Sequence, residues 1–177
     1  IDVFFISGNG ANEKTLIEVS EMYDRFITGS DQVWNINITH GDWHYFLDFV
    51  KEPSKKIAYA PSFGDKAFPE KSREYAANLL ADFKSLSVRE LSGKKIIYEM
   101  TGRKATIVLD PTLLLSKKEW EQKIEFLPPI ERYILVYLPH NKKLVFNFVN
   151  ELKKKTGLPV IYLSISPKIQ LGMKTIY

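Results

Sequence analysis

Two periods of hydrophobicity alternate along this chain. Leu16, Ile17, Val19 and Met22 recur at near-helical spacing, and the apolar run 25–28 (RFIT) that follows stops at Gly29. The pattern predicts a helix and then a strand. HYFLDFV (44–50) and KKIAYAPS (55–62) read as further strands parted by a Pro-containing turn. Pro69 suits a first helical turn, and Tyr75, Ala76, Leu79, Leu80 and Phe83 then fall on one helical face. SLSVRE (85–90) predicts a strand, SGKKIIYEMTG (92–102) a helix closed by Gly102, and ATIVLD (105–110) a strand running into Pro111. The alternation then restarts: strand YILVYLP (133–139), helix 142–156 with Leu144, Val145, Phe148, Val149 and Leu152 as its apolar stripe, and strand PVIYLS (159–164).

Strands alternating with helices predict an α/β protein with largely parallel sheets. Residues 1–115 make up most of one domain, 116–130 with the Pro128-Pro129 pair form a connection, and 131–177 open a second domain with one βαβ unit. A parallel sheet needs helices on both faces, more than so short a second segment supplies. The chain is therefore expected to be truncated at both ends, with any targeting leader lying outside it.

Hydrophobic residues make up 45% of the 177 positions and charged ones 26%, the balance of a globular protein with a sizeable core. The net charge of +4 is a mild excess that fits a small anionic ligand, an anionic membrane surface or nothing in particular, and it does not point to nucleic acid. There is no cysteine, which removes disulfides, a thiol nucleophile and thiolate metal sites. The longest apolar stretches, such as YILVYL and TIVL, fall far short of the ~20 residues of a membrane-spanning helix.

In open α/β sheets, ligands bind at the carboxyl ends of the strands. Three polar stretches fall there: GSDQVW (29–34), APSFG (60–64) and the Arg89-Glu90 pair. Gly29 and Ser30 offer backbone N–H groups to an oxyanion. Asp31 and Gln32 suit hydroxyls, Trp34 offers a flat wall, and Ser62 adds a hydroxyl; the mixture suits a sugar. Each has a plainer reading: Asp31 as the cap of a following helix, Trp34 as core, Arg89 and Glu90 as an exposed pair. In HGDWH, His40, Asp42 and His44 alternate, but a fourth ligand is missing and no metal is expected. His140 follows a predicted strand and reads either as a solvated loop residue or as a catalytic one. Lys153, Lys154 and Lys155 close the second helix, where the macrodipole favours cations.

In their order and spacing, YDRFITGSDQVWN, YFLDFV, KKIAYAPSFG, LSVRE followed by SG, and VLDPTLLL followed by EW resemble the polysaccharide pyruvyl transferase family, over roughly residues 23–120. The resemblance implies a glycosyltransferase-B-like architecture of two Rossmann-like domains. It implies transfer of pyruvate from phosphoenolpyruvate to a glycan or lipid-linked sugar of a cell-surface or exported polysaccharide, usually as a ketal. No cofactor besides that donor substrate is expected, and the setting implied is cytoplasmic, at the inner face of the membrane, with peripheral membrane contact. The family's opening strand and glycine-rich loop have no match before Ile1, and its later phosphoenolpyruvate-binding basic residues and histidine would follow Tyr177, so His140 is not equated with that histidine.

The donor carries a phosphate and a carboxylate, which call for a cationic clamp; Arg89, with its rigid fork, is the candidate. Ketal formation also needs acid–base groups, and Asp31 or Glu90 would deprotonate or orient a sugar hydroxyl. Two other classes remain open: a nucleotide-sugar glycosyltransferase of similar fold, and a non-catalytic carbohydrate-binding protein.

Overall fold

Helix α1 (Glu13–Met22) buries Leu16 and Val19 and leaves Met22 in water, so its apolar face is narrower than the spacing predicts. Strand β1 (Phe26–Thr28) follows, with Phe26 and Thr28 buried on one face and Ile27 exposed on the other. The computed structural model describes residues 13–64, 67–124, 132–137, 143–163 and 175–176, and it divides into two units, Ile1–Gln122 and Lys123–Tyr177.

In the first unit, β1 is joined by β2 (Lys56–Ala58), then α2 (Arg73–Ala81), β3 (Ser85–Val88), α3 (Leu91–Thr101) and β4 (Thr106–Ile107). The four strands lie in the order β1-β2-β3-β4, all parallel, with Ile27 beside Ile57, Ala58 beside Leu86 and Val88 beside Ile107. Helices α2 and α3 are the crossovers and pack on each other. The result is a mixed α/β unit with a four-stranded parallel sheet, consistent with a Rossmann-like fold. Because the strands are parallel, the loops that leave all four carboxyl ends emerge at one edge of the sheet.

The core of this unit is aromatic. Trp34 is fully buried, stacked on Phe46 with centroids 5.3 Å apart, and Phe63 and Phe83 close on it at 5.2 and 5.6 Å. Lys56 is 2% exposed at the start of β2; its stem lies in the core while Nζ approaches the half-exposed Asp82 at 3.5 Å.

Several local expectations are corrected. The segment 44–50 is not a strand: Trp43–Phe46 form a 3-10 turn in which the Asp42 carboxylate accepts the His44 N–H at 3.0 Å. Its buried residues Phe46, Leu47 and Val50 follow helical spacing rather than alternation, which is why the apolar content misleads. Pro69 caps a short 3-10 turn (Glu70–Ser72), and α2 begins only at Arg73. Within α2 the predicted face is buried at Ala76 and Leu80, whereas Tyr75 is half exposed and meets Trp43 edge-on. Helix α3 ends at Gly102 (φ 70°), as the sequence predicts. Strand β4 is short because Asp110 and Pro111 open another 3-10 turn (Pro111–Leu113), and α4 (Lys117–Glu121) follows behind a Ser116–Glu119 capping box.

The second unit pairs β5 (Ile134–Tyr137) with β6 (Val160–Leu163) across α5 (Lys143–Thr156), and β7 (Thr175–Ile176) adds to β6, all parallel. Helix α5 buries Val149 and lays Phe146 on Tyr162, while Phe148, expected in the stripe, is 67% exposed. The buried face runs through 145, 146 and 149, so the stripe is rotated from the predicted one. Lys153, Lys154 and Lys155 occupy the last turn, exposed, with Lys154 on Glu151 at 2.9 Å, in keeping with a solvated helix end. His140, the Pro128-Pro129 pair and the Leu144 side chain lie outside the described residues.

Candidate functional site

The loops after β1 and β2 are laced together beyond the strands. Tyr59 donates its N–H to Thr28 at 2.9 Å, Ser62 to the Asp31 carbonyl at 2.7 Å, and Trp34 to the Ser62 carbonyl at 3.2 Å. Gly29 makes this approach possible: at φ 134° its conformation excludes ordinary side chains, and a Cβ there would collide with the Tyr59 carbonyl. The Gly29–Ser30 peptide is cis. Asp31 follows at φ 38° and the fully buried Ala60 adopts φ 54°, both in the left-handed region. The Ala60 turn is secured by Ser87, whose hydroxyl accepts the Ala60 N–H at 3.2 Å and donates to the Ala58 carbonyl at 2.7 Å.

Arg89, the first residue after β3, reaches the loops on both sides. Neighbouring strands lie about 4.8 Å apart, so a tie from β3 to the loops of β4 and β1 needs a long, forked side chain. Arg89 Nη1 donates to Asp110 Oδ2 at 2.7 Å, and Nη2 donates to Asp31 Oδ1 at 3.2 Å. The side chains are unequally covered: Arg89 is 27% exposed, Asp110 17% and Asp31 86%.

Asp110 is held on every side. Its Oδ1 accepts the Thr112 hydroxyl at 2.7 Å and the Thr112 N–H at 3.0 Å, and Ser30 adds a side-chain hydrogen bond. The two Thr112 bonds, then Arg89 and Ser30, keep its carboxyl well below the usual carboxylate range. Burial works against the Arg89 charge, but the hydrogen bonds and charges of Asp110 and Asp31 outweigh it and raise its pKa. The edge therefore carries a fixed cation whose second donor faces a partner in open water.

Among the residues expected at the site, Ser30, Asp31 and Arg89 converge, and Gly29 builds their turn. Trp34 does not wall a cleft: it is fully buried, and its Nε1 donates to the Tyr45 carbonyl at 3.0 Å. Ser62 is 4% exposed, and its Oγ accepts the Gly64 N–H at 3.0 Å, which makes it a brace of its own loop. Gln32 Oε1 accepts from Asn35 Nδ2 at 2.8 Å. Glu90 does not pair with Arg89; its Oε1 accepts the Phe63 N–H at 3.3 Å and ties the start of α3 to the β2 loop. Asp31 caps no helix, since 31–34 form a turn with no helix after it.

The residue missed in the sequence is Asp110, which there reads only as the end of a strand running into Pro111; it caps the 3-10 turn and anchors Arg89 as well. His44 Nδ1 lies 2.8 Å from Asp48 Oδ1 and Asp42 is occupied as a cap. No cluster of three His, Cys, Asp or Glu suited to a metal occurs among the described residues.

A family model described as polysaccharide pyruvyl transferase matches residues 4–177, nearly the whole chain. No curated protein and no solved structure matches it in the corresponding comparisons.

Proposed function

The chain belongs to the polysaccharide pyruvyl transferase family, and from that premise we propose that it moves pyruvate from phosphoenolpyruvate to a sugar of a cell-surface or exported polysaccharide, as a ketal across two hydroxyls. One observation supports this reading above the others: Arg89 stands at the carboxyl edge of the sheet, anchored by Asp110 on one side and opposite the exposed Asp31 on the other. A guanidinium so placed suits a phosphate or carboxylate, because its fork bonds an oxyanion in a fixed geometry.

The reaction divides into steps that these groups can serve. The enol methylene of the donor gains a proton, a sugar hydroxyl attacks the resulting cationic carbon, phosphate departs, and the second hydroxyl closes the ketal. Of the two hydroxyl protons released, one balances the proton gained by carbon and the other leaves on phosphate. Arg89 binds the donor anion and balances charge on the departing phosphate. Asp31, at 86% exposure, accepts the proton of the attacking hydroxyl. Glu90 is given the lesser part, since its carboxylate is engaged with the Phe63 N–H. Gly29, Ser30 and Gln32 shape the acceptor side. So written, the reaction needs no cofactor besides the donor.

The same proposal includes a glycosyltransferase-B-like architecture of two Rossmann-like domains, in line with parallel sheets in both units. It places the enzyme in the cytoplasm at the inner face of the membrane, where phosphoenolpyruvate and a lipid-linked acceptor meet. No helix among the described residues is long and apolar enough to cross a membrane. The test is product analysis with the complete protein, isotopically labelled phosphoenolpyruvate and a panel of glycan acceptors. Labelled ketal that disappears in Arg89→Ala is expected. Binding of nucleoside diphosphates with no label transferred would overturn the reading in favour of a glycosyltransferase.

A further inference from the structure

The two carboxylates on Arg89 differ in how easily they can leave. Asp110 bonds at 2.7 Å, is 17% exposed, and has its other oxygen filled by the Thr112 hydroxyl and N–H. Removing it would strand those donors. Asp31 bonds through a single oxygen at 3.2 Å and is 86% exposed, and its backbone, not its carboxylate, is what the β2 loop holds, through Ser62 at 2.7 Å. An exposed pair of this kind is worth little, and an incoming oxyanion can replace it while the turn keeps its shape.

We infer that Asp31 is an exchangeable counter-ion of Arg89: a phosphate or carboxylate group takes its place at Nη2, Asp110 retains Nη1, and the Asp31 carboxylate is set free by the same event. This rests on the reading of Arg89 as the donor clamp. It adds a coupling, since arrival of the donor anion shifts the proposed base towards its free form by the small free energy of that exposed pair. An acceptor hydroxyl then meets a free carboxylate more often in the donor complex than without it, which favours donor-first binding.

The test uses equilibrium titration of the complete protein with phosphoenolpyruvate and, separately, inorganic phosphate. Asp31→Asn is the informative variant, because Asn tolerates the left-handed region at φ 38° and keeps the side-chain shape while losing the charge. It should tighten anion binding about two- to fivefold, the range in which an exposed ion pair competes. In an Arg89→Gln background the same change should do nothing, which a double-mutant cycle reads directly. In the unmutated protein the Asp31 Cγ resonance should move on saturation with phosphate while that of Asp110 stays in place. Asp31→Ser repeats the titration if the Asn variant fails to fold.

Unchanged or weaker binding in the Asp31 variants, tightening that survives without Arg89, or a static Asp31 resonance would each overturn the exchange. Exchange with phosphate but no pyruvyl transfer would leave this inference standing and remove the transferase reading. Transfer without exchange would do the reverse.

Discussion

Asp110 receives Arg89 Nη1 at 2.7 Å on one carboxylate oxygen while Thr112 occupies the other, so a residue that caps a 3-10 turn after β4 also fixes the cation after β3. Strand order brings these two residues together, and the pair sets where the second nitrogen of the guanidinium points.

The acid limb of stability should carry the mark of the Asp110 carboxylate. The Thr112 bonds and Arg89 lower the Asp110 carboxyl from its ordinary 3.8, so the folded state holds that proton more weakly than the unfolded one. Its contribution is complete above the ordinary value and is lost as pH falls from there towards the lowered value. Urea midpoints followed from about pH 6 to about pH 2 should drop less steeply for Asp110→Asn, from a lower starting stability. Parallel curves for the two proteins would show that the Asp110 carboxylate, held by Thr112 and Arg89, contributes nothing.

Arg89→Lys should fail almost as badly as Arg89→Ala. A single ammonium cannot serve Asp110 and a second anion with the geometry of the fork. The loss of one charge-assisted contact is about 1.5–3 kcal/mol, so kcat/KM for phosphoenolpyruvate should fall roughly 10- to 100-fold while Tm changes little. A lysine variant with the original kcat/KM would show that the forked geometry is not needed.

Trp34→Ala should unfold the first unit rather than weaken one ligand. The indole is fully buried against Phe46, Phe63 and Phe83, and truncating such a side chain destabilises by about 3–5 kcal/mol. Trp34→Phe should lose less, roughly 1 kcal/mol beyond the packing change, for the bond to the Tyr45 carbonyl. Chemical denaturation distinguishes this from a ligand wall, whose removal would raise the acceptor KM and leave the midpoint alone.

Gly29→Ala and Gly102→Ala should differ, although both glycines have positive φ. At Gly102 a Cβ meets nothing within 4 Å, so the substitution costs only the left-handed penalty of about 1–2 kcal/mol. At Gly29 the Cβ would also strike the Tyr59 carbonyl, and the β1 and β2 loops must part to admit it. Thermal unfolding by circular dichroism should show a clearly larger fall in Tm for Gly29→Ala. Equal falls would mean that the close approach of the two loops is not held.

What the sequence determined by itself is local. The stop after RFIT at Gly29, the face of α2 through Ala76 and Leu80, and the end of α3 at Gly102 all follow from spacing and from conformations open mainly to glycine, which neighbouring residues set among themselves. Polar groups at strand ends were legible for the same reason, since each follows its own strand directly. The partners of those groups were not legible. Asp31 and Arg89 are 58 positions apart and Arg89 and Asp110 are 21 apart, and only the order β1-β2-β3-β4 decides which loops share an edge. Tertiary packing likewise drew Trp34 into the core and turned Phe148 to water. An aromatic residue carries the same hydrophobic free energy in either setting, and only the surface it meets after folding decides whether that energy is spent in the core or at a site.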